Sequence, residues 1–181
     1  MPESGMSESA TPRSSAAHAP VPDMRRSVVV AARPAEAFRI YAGYPDQWLP
    51  SGHTFIPGPA AIVIEPYVGG RFYERAADGT EMIRGMVTEW DPPSRLALTW
   101  RIGPGWQPVF DDDHASVVSA EFHPSGDDAT ELVLTHTHLE RHGAFAEQLR
   151  YAIAAEGPDD TLQRYAAVVE RHADRSGHTG A

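Results

Sequence analysis

One stretch of the sequence limits the possible folds more than any other. Residues 62–101 are interrupted at regular intervals by turn-forming groups: Gly-Gly at 69–70, Asp-Gly at 78–79 and Asp-Pro-Pro at 91–93. An Asp-Gly pair supplies the positive φ angles that two-residue hairpin turns need, and proline cannot donate a hydrogen bond within a sheet. The spacing therefore predicts a meander of strands.

The segments on either side of the meander add strands and helices. Residues 27–32 are a β-branched run that predicts a first strand, and the proline that opens 34–41 predicts a helix. After the meander, 116–122 and 130–139 alternate apolar and polar residues as strands do, and the chain then becomes helical. Strands that are grouped in sequence indicate an α+β fold, with an antiparallel sheet and helices on one of its faces.

The last predicted helix, at 160–171, is amphipathic. Its apolar stripe consists of Leu162, Tyr165, Ala166 and Val169. Gly-Pro at 157–158 separates this helix from the one before it, and Asp159 or Asp160 can accept hydrogen bonds from the amides of its first turn. We expect the stripe to be buried against the sheet.

The 181 residues divide into a tail, one domain and a short terminus. Residues 1–23 are mostly Ser, Pro and Ala without apolar periodicity, which is typical of a disordered tail. Residues 24–173 contain all the predicted elements, and the 41% hydrophobic content of the chain is enough for one core. Residues 174–181 are expected to fray.

The composition excludes several functional classes. With 15 Lys and Arg against 25 Asp and Glu, the net charge is −10, so we expect no binding to nucleic acid, whose phosphates attract basic patches. The chain has no cysteine, which excludes disulfides and thiolate catalysis. No apolar run approaches the ~20 residues of a membrane helix, and no signal-peptide core is present. We therefore expect a cytoplasmic protein without membrane insertion, either a monomer or a homodimer.

Three segments resemble a known family. GGRFYERAADG at 69–79, RGMVTEWDPPSRLALTWRI at 84–102 and ELVLTHTHLERHG at 131–143 are similar to the homologues of the activator of heat-shock protein 90 ATPase, within the START-like (SRPBCC) superfamily. The resemblance extends from Met24 to His172. It implies a helix-grip fold, in which a curved antiparallel sheet of about seven strands wraps around a long C-terminal helix and leaves an apolar cavity. Relatives include lipid carriers and aromatic polyketide cyclases.

The sequence departs from this family in two places. The eukaryotic co-chaperone activators have a separate N-terminal domain, whereas about two dozen residues precede the first strand here, so we do not expect ATPase activation. Close relatives often have Gly-Gly-Trp before the last helix. This chain has Gly-Pro-Asp-Asp at 157–160, so that tryptophan does not contribute to the cavity mouth.

A small hydrophobic or aromatic molecule is the ligand that such a cavity implies, because small-molecule pockets are mostly apolar with a few polar groups. We predict that two sets of side chains line the cavity. The aromatic set is Trp48, Phe55, Phe72, Trp90, Trp100 and Trp106, and the polar set is Glu74 and His136. The simpler alternative is that the aromatic rings only pack the core.

The histidines near the end of the last predicted strand leave two interpretations open. His136 and His138 share one face of that strand, and His142 follows shortly after, so the three could hold a metal ion. A histidine on an apolar face is more often a hydrogen-bonded residue of the core. We favour that interpretation and predict no metal and no other cofactor.

Glu74 alternates with Phe72, so both are expected to face inward. A buried carboxylate could act as an acid or base, but we favour an ion pair with a strand neighbour such as Arg84. The sequence has no nucleophile elbow, P-loop or dinucleotide fingerprint. The predicted function is therefore ligand binding without catalysis. The alternatives are a cyclase, dehydratase or hydrolase that uses Glu74 and His136, and an interaction module for a chaperone.

Overall fold

The computed structural model of the chain describes residues 21–103, 105, 107–154 and 160–177. Within these ranges the helices and strands follow the order predicted from the sequence. The helices are α1 (Pro34–Gly43), α2 (Pro45–Trp48), α3 (Ala146–Ala154) and α4 (Thr161–Gly177), with 3₁₀ segments at Ser51–His53 and Leu139–Phe145. None of the described helices is both long and apolar enough to cross a bilayer.

Seven strands form one antiparallel sheet with the spatial order β1-β7-β6-β5-β4-β3-β2. The strands are β1 (Met24–Val30), β2 (Ala61–Ile64), β3 (Arg71–Arg75), β4 (Glu81–Asp91), β5 (Arg95–Trp100), β6 (Ser116–Pro124) and β7 (Thr130–Thr137). All neighbours are adjacent in sequence except β1 and β7, which bring the two ends of the strand sequence together. The prediction of an α+β helix-grip fold is confirmed.

The turn chemistry of the meander explains why its strands begin and end where they do. Gly79 has φ of 89°, and the side chain of Asp78 accepts a hydrogen bond from the amide of Thr80 at 2.9 Å. The amide of Ala76 donates to the carbonyl of Thr80 at 2.8 Å, so the hairpin loop is longer than the two-residue turn that we expected. A glycine with positive φ at the end of the loop is typical of such longer hairpin loops.

The pairing of β3 with β4 is irregular at one point, and this irregularity positions a buried arginine. Phe72 pairs with Gly85 and Tyr73 pairs with Ile83, so Arg84 is an extra residue on β4. A Cβ on Gly85 would lie 1.9 Å from the carbonyl oxygen of Thr99, so only glycine allows β5 to approach this closely. The register shift turns the side chain of Arg84 into the interior, where it is 1% exposed.

Helix α4 buries the predicted stripe. Leu162, Tyr165 and Val169 are buried and Ala166 packs against the same cluster, which also contains residues of α1, α2 and all seven strands. The hydroxyl of Tyr165 donates to the carbonyl of Ala37 in α1 at 2.8 Å, so the one polar atom of this buried ring has a partner. The helix continues past the predicted stripe to Gly177.

The N-terminus of α4 is fixed by Asp160. Its carboxylate accepts a hydrogen bond from the amide of Leu162 at 2.9 Å and forms an ion pair with Arg26 of β1. The capping role predicted for Asp159 or Asp160 is confirmed for Asp160, and Asp159 lies outside the described residues. This one side chain therefore caps the helix and joins it to the edge of the sheet.

Replacing Asp160 by Ala should lower the free energy of unfolding by about 2–4 kcal/mol, because the cap and a buried ion-pair partner are lost together. The Asp160 side chain is 2% exposed. Asp128→Ala is the matched control: Asp128 also pairs with an arginine, Arg33, but is 73% exposed, and we expect a cost below about 1 kcal/mol. Urea unfolding of both variants gives the comparison, and equal costs would contradict the role assigned to Asp160.

Candidate ligand cavity

A cavity lies between the sheet and the N-terminal end of helix α4. Its sheet wall follows from the strand register: Leu98, Val118, His136 and Met24 are successive partners across β5, β6, β7 and β1, and all four line the cavity. Side chains of directly paired residues point to the same face of a sheet. The register therefore builds one continuous wall from four strands.

The remaining walls come from the helices and from aromatic side chains. Tyr41 of α1 and Trp48 of α2 stack on each other with ring centroids 4.5 Å apart, and both line the cavity. The other lining residues that complete these walls are Leu49, Phe72, Trp100, Leu134, Ile153, Thr161 and Leu162. The interior is thus mostly apolar, and its polar groups are few.

The cavity volume is about 90 Å³, which is below the roughly 300–1,000 Å³ of pockets that enclose a drug-sized molecule. Its lining includes Ile153, near the end of α3, and Thr161, at the start of α4. Of the nine residues of α3, only Ala146 and Leu149 are buried. Few buried side chains hold α3 in place, so this wall opens at a lower free-energy cost than the sheet wall.

Besides Tyr41 and Thr161, which carry hydroxyl groups, the lining of the cavity includes three residues with polar side-chain groups. Arg26 is one of them, and its guanidinium is paired with Asp160. The indole N–H of Trp100 is buried and has no hydrogen-bond partner among the described residues. His136 is the third: its Nε2 lies 2.8 Å from the hydroxyl oxygen of Ser116.

Ser116 connects His136 to a second histidine. The Nε2 atom of His142 lies 2.9 Å from the same hydroxyl oxygen, and all three side chains are buried. Burial, together with the smaller effect of the neighbouring His142, lowers the pKa of His136 to about 3. Burial also lowers the pKa of His142, while Glu140 opposes that shift. Both imidazoles are therefore neutral near pH 7.

The structure brings four of the predicted site residues together at the cavity: Trp48, Phe72, Trp100 and His136. Three others, Phe55, Glu74 and Trp90, do not line it. Trp106 lies outside the described residues. The rings of Trp100 and His136 pack edge to face, with centroids 5.1 Å apart and planes at 68°. One residue of the predicted aromatic set therefore contacts one residue of the predicted polar set.

Glu74 and Phe55 belong to a separate cluster behind the cavity wall, not to the cavity. The carboxylate of Glu74 forms a buried ion pair with Arg84 and accepts hydrogen bonds from the amides of Phe55 at 3.0 Å and Ile56 at 2.7 Å. The preferred interpretation, an ion pair with Arg84, is confirmed. The guanidinium lies 5.3 Å from the ring centre of Phe72, so one aromatic ring separates the ion pair from the cavity.

The Glu74–Arg84 pair has a structural task. Arg84 also donates to the carbonyl of His53 at 2.8 Å. The pair therefore holds the 51–56 segment in place, since Glu74 binds two of its amides and Arg84 binds one of its carbonyls. Burial lowers the pKa of the Arg84 guanidinium, and the charge of Glu74 opposes this shift. Because the oxygens of Glu74 are occupied by these donors, the carboxylate is not placed to exchange protons with a ligand.

Trp90 was predicted to line the ligand cavity, and the structure places it elsewhere. It borders a second recess, of about 580 Å³, between α1 and the β4–β5 turn, whose apolar lining includes Phe38, Ile64 and Pro93. Trp90 packs edge-on against Phe38 with ring centroids 5.2 Å apart. The sequence shows that Trp90 is apolar and on a strand, but not which recess its face borders.

Alternation predicted that His138 shares the strand face of His136, and this prediction is wrong. β7 ends at Thr137, because His138 has a φ of 60° and precedes the 3₁₀ segment. The side chain of His138 is exposed, and its Nδ1 lies 3.3 Å from the carboxylate of Glu140. The described residues contain no group of three His, Asp or Glu that could hold a metal ion. The chemically relevant partner of His136 is Ser116.

Several residues that line the cavity or bond to its lining were not predicted from the sequence, and two of them had a usable signal. Ser116 has the same parity as Val118 on β6, so alternation places both on one face. Leu162 was assigned to the apolar stripe of α4, and it also lines the cavity. Arg26 and Ile153 had no signal of this kind, because their positions depend on how β1 and α3 are packed.

Comparisons with known proteins agree with this architecture. The family model described as "Activator of Hsp90 ATPase homolog 1-like protein" matches residues 46–170. The chain is 44% identical to the protein in a solved structure of "An anthrahydroquino-Gama-pyrone synthase Txn09 complexed with SUM"; the match covers 82% of this chain and 97% of that chain, with a TM-score of 0.58.

Two further solved structures are more distant. The self-sacrificing resistance protein CalC from Micromonospora echinospora is 27% identical, with 83% of this chain and 96% of that chain covered and a TM-score of 0.63. DynU16, from the dynemicin biosynthetic locus, is 20% identical, with 83% and 48% covered and a TM-score of 0.54, and this likeness concerns the fold alone. No curated protein matches the chain.

The buried neutral state of His136 should make stability depend on pH. In the unfolded chain the imidazole takes up a proton below its ordinary pKa of 6.5, whereas in the folded protein it does so only near 3. The contribution of His136 to the free energy of unfolding is thus fully present above pH 6.5 and is lost as the pH falls toward 3. At pH 5 the loss is about 2 kcal/mol. His136→Gln should reduce the loss between pH 7.5 and 5 by that amount in urea titrations.

His123→Gln is the control, because His123 is an exposed histidine on β6. It makes the same substitution at the surface, so the reduced loss of stability should be specific to His136→Gln. If His136→Gln and the wild type lose equal stability over this pH range, the imidazole of His136 is not held neutral by burial.

Proposed function

The chain belongs to the Activator of Hsp90 ATPase homolog 1-like family, and we propose that it binds a flat, oxygenated, fused-ring aromatic molecule in the cavity between the sheet and helix α4. The observation that supports this most is the 44% identity, across 97% of its length, to a protein named as an anthrahydroquino-Gama-pyrone synthase. The aromatic walls of the cavity fit such a ligand, because flat rings stack on Trp and Tyr side chains.

The polar groups of the cavity match the oxygen atoms of such a ligand. A quinone or pyrone carbonyl can accept a hydrogen bond from the indole N–H of Trp100, which lacks a partner among the described residues. A phenolic hydroxyl can bond to the imidazole of His136. Each bond compensates the desolvation of a buried polar group, which otherwise costs about 1–3 kcal/mol.

The small cavity volume sets a condition on binding. A fused-ring ligand is larger than the present 90 Å³, so the ligand-bound state requires the cavity to widen. We expect widening at α3, where Ile153 closes the cavity and few side chains are buried. Binding then includes the free-energy cost of moving α3, so affinity depends on how firmly that helix packs.

A second candidate function, catalysis on the bound molecule, is favoured by the name of the same 44% identical protein, which is a synthase. The sequence led us to expect binding without catalysis, with Glu74 and His136 as the acid–base pair of the alternative. Because Glu74 is committed to Arg84 and the 51–56 segment, His136 is the member of that pair that lines the cavity and can exchange a proton with the ligand.

Filling the cavity should abolish binding. Val118→Phe adds a ring to a cavity-lining residue, whereas Val117→Phe makes the same change at the adjacent residue of β6, on the other face of the sheet. We expect alizarin, a dihydroxyanthraquinone, to raise the thermal unfolding temperature of the wild type and Val117→Phe by mass action, and to leave that of Val118→Phe unchanged.

Trp100→Phe should weaken binding several-fold, by about 1 kcal/mol for one neutral hydrogen bond.

Absence of alizarin binding to the wild type, measured by titration, would contradict the proposed function for this ligand class. Equal binding to Val118→Phe and Val117→Phe would place the ligand outside this cavity.

A further inference from the structure

A buried chain of three side chains leads from the ligand cavity toward the protein surface. The hydroxyl oxygen of Ser116 lies 2.8 Å from Nε2 of His136 and 2.9 Å from Nε2 of His142. Ser116 is fully buried, and the two histidines are 4% and 8% exposed. The three groups come from β6, β7 and the 3₁₀ segment after β7, so the fold itself brings them together.

The two ends of this chain face different surroundings. His136 lines the cavity, and because its Nε2 is bonded to Ser116, Nδ1 is the ring nitrogen left for a ligand. Glu140, His114 and His136 are titratable neighbours of His142, and the side chain of His114 is 70% exposed. The outer end of the chain therefore lies near an exposed side chain.

A serine hydroxyl has one proton, so it can donate to only one of the two imidazoles and accepts an N–H from the other. Neutral imidazole has one N–H and one acceptor nitrogen. In one arrangement His136 donates from Nε2, Ser116 donates to His142, and Nδ1 of His136 is an acceptor. In the other arrangement both hydrogen bonds are reversed and Nδ1 of His136 is a donor.

We propose that His136, Ser116 and His142 form a proton relay that takes one proton from a phenolic or enolic hydroxyl of the ligand and returns it later. This inference rests on the proposed function, and it names His136 as the group that contacts the ligand. Ser116 and His142 act through His136 and are positioning residues.

The transfer is balanced at every atom. The ligand O–H bond breaks as Nδ1–H of His136 forms; the Nε2 proton of His136 passes to the oxygen of Ser116; the former hydroxyl proton of Ser116 passes to Nε2 of His142; and Nδ1 of His142 releases its proton to water. All three residues end neutral, in the reversed arrangement. The ligand becomes an oxyanion, and the opposite sequence protonates it again.

A relay of this kind fits the electrostatics of the site. A charged imidazolium is disfavoured at His136, because burial and the neighbouring His142 both lower its pKa. A relay removes the ligand proton without leaving that charge in the cavity, since the charge leaves at the outer end. A lone buried histidine with this pKa would be a weak base.

The relay can be tested in the ligand-free protein by measuring the tautomers of both histidines through their imidazole nitrogen resonances. We expect complementary tautomers, with a hydrogen on Nε2 of one histidine and on Nδ1 of the other. In Ser116→Ala the two tautomers should no longer be linked. Ser119→Ala, which removes another buried serine of β6, should leave them as in the wild type. The same tautomer on both histidines in the wild type would overturn the relay.

The second test uses alizarin, because its colour reports ionisation of its phenolic hydroxyl. With the dye fully bound, we expect it to ionise at lower pH than free dye. Ser116→Ala and His142→Gln should shift the midpoint back toward the free dye by about one pH unit, a tenfold change in the ionisation constant. Ser119→Ala should not shift it.

The outcomes separate the two proposals. If alizarin binds and its ionisation midpoint is the same in the wild type and Ser116→Ala, the relay is wrong and the proposed function stands. If alizarin does not bind, the proposed function fails for this ligand class, and the tautomers alone then decide whether the relay exists.

Discussion

The arrangement of the whole domain depends on the seating of helix α4 against the sheet. Its middle closes the core, where Tyr165 is fully buried and bonds to the backbone of α1. Its N-terminal end is held by the bonds of Asp160 to Leu162 and Arg26, and there Thr161 and Leu162 face the cavity. One helix therefore completes the core along one part of its length and forms a cavity wall at its N-terminal end.

The two buried polar clusters differ in what they leave available. In the Glu74–Arg84 pair, both oxygens of the carboxylate are bonded to protein donors, so the pair stabilises the 51–56 segment and has no acceptor for a ligand. In the Ser116 chain, one ring nitrogen of His136 remains at the cavity. Burial makes both clusters costly to disrupt, but only the second can respond to a ligand.

The fold could be predicted because the turn residues and the spacing of apolar residues indicate the same elements along most of the chain. Asp78-Gly79 marks a turn, apolar and polar residues alternate along the strands, and one stripe of α4 is apolar. The site could be predicted only in part. Phe72 and Glu74 are both buried, as alternation predicts, but only Phe72 lines the cavity, because Glu74 pairs with Arg84, which the register shift on β4 turns inward. Trp90 is as apolar as Trp100, and only the packing of α1 shows that it borders a different recess.

The central claim is that ligand binding occurs in the cavity beneath helix α4. The most direct measurement is a set of nuclear Overhauser effects between bound alizarin and the methyl groups of the protein. We expect contacts between alizarin and the methyl groups of Val118, Leu134 and Leu162, which line that cavity. Contacts with Ile64, in the recess beside Trp90, in place of those three would contradict it.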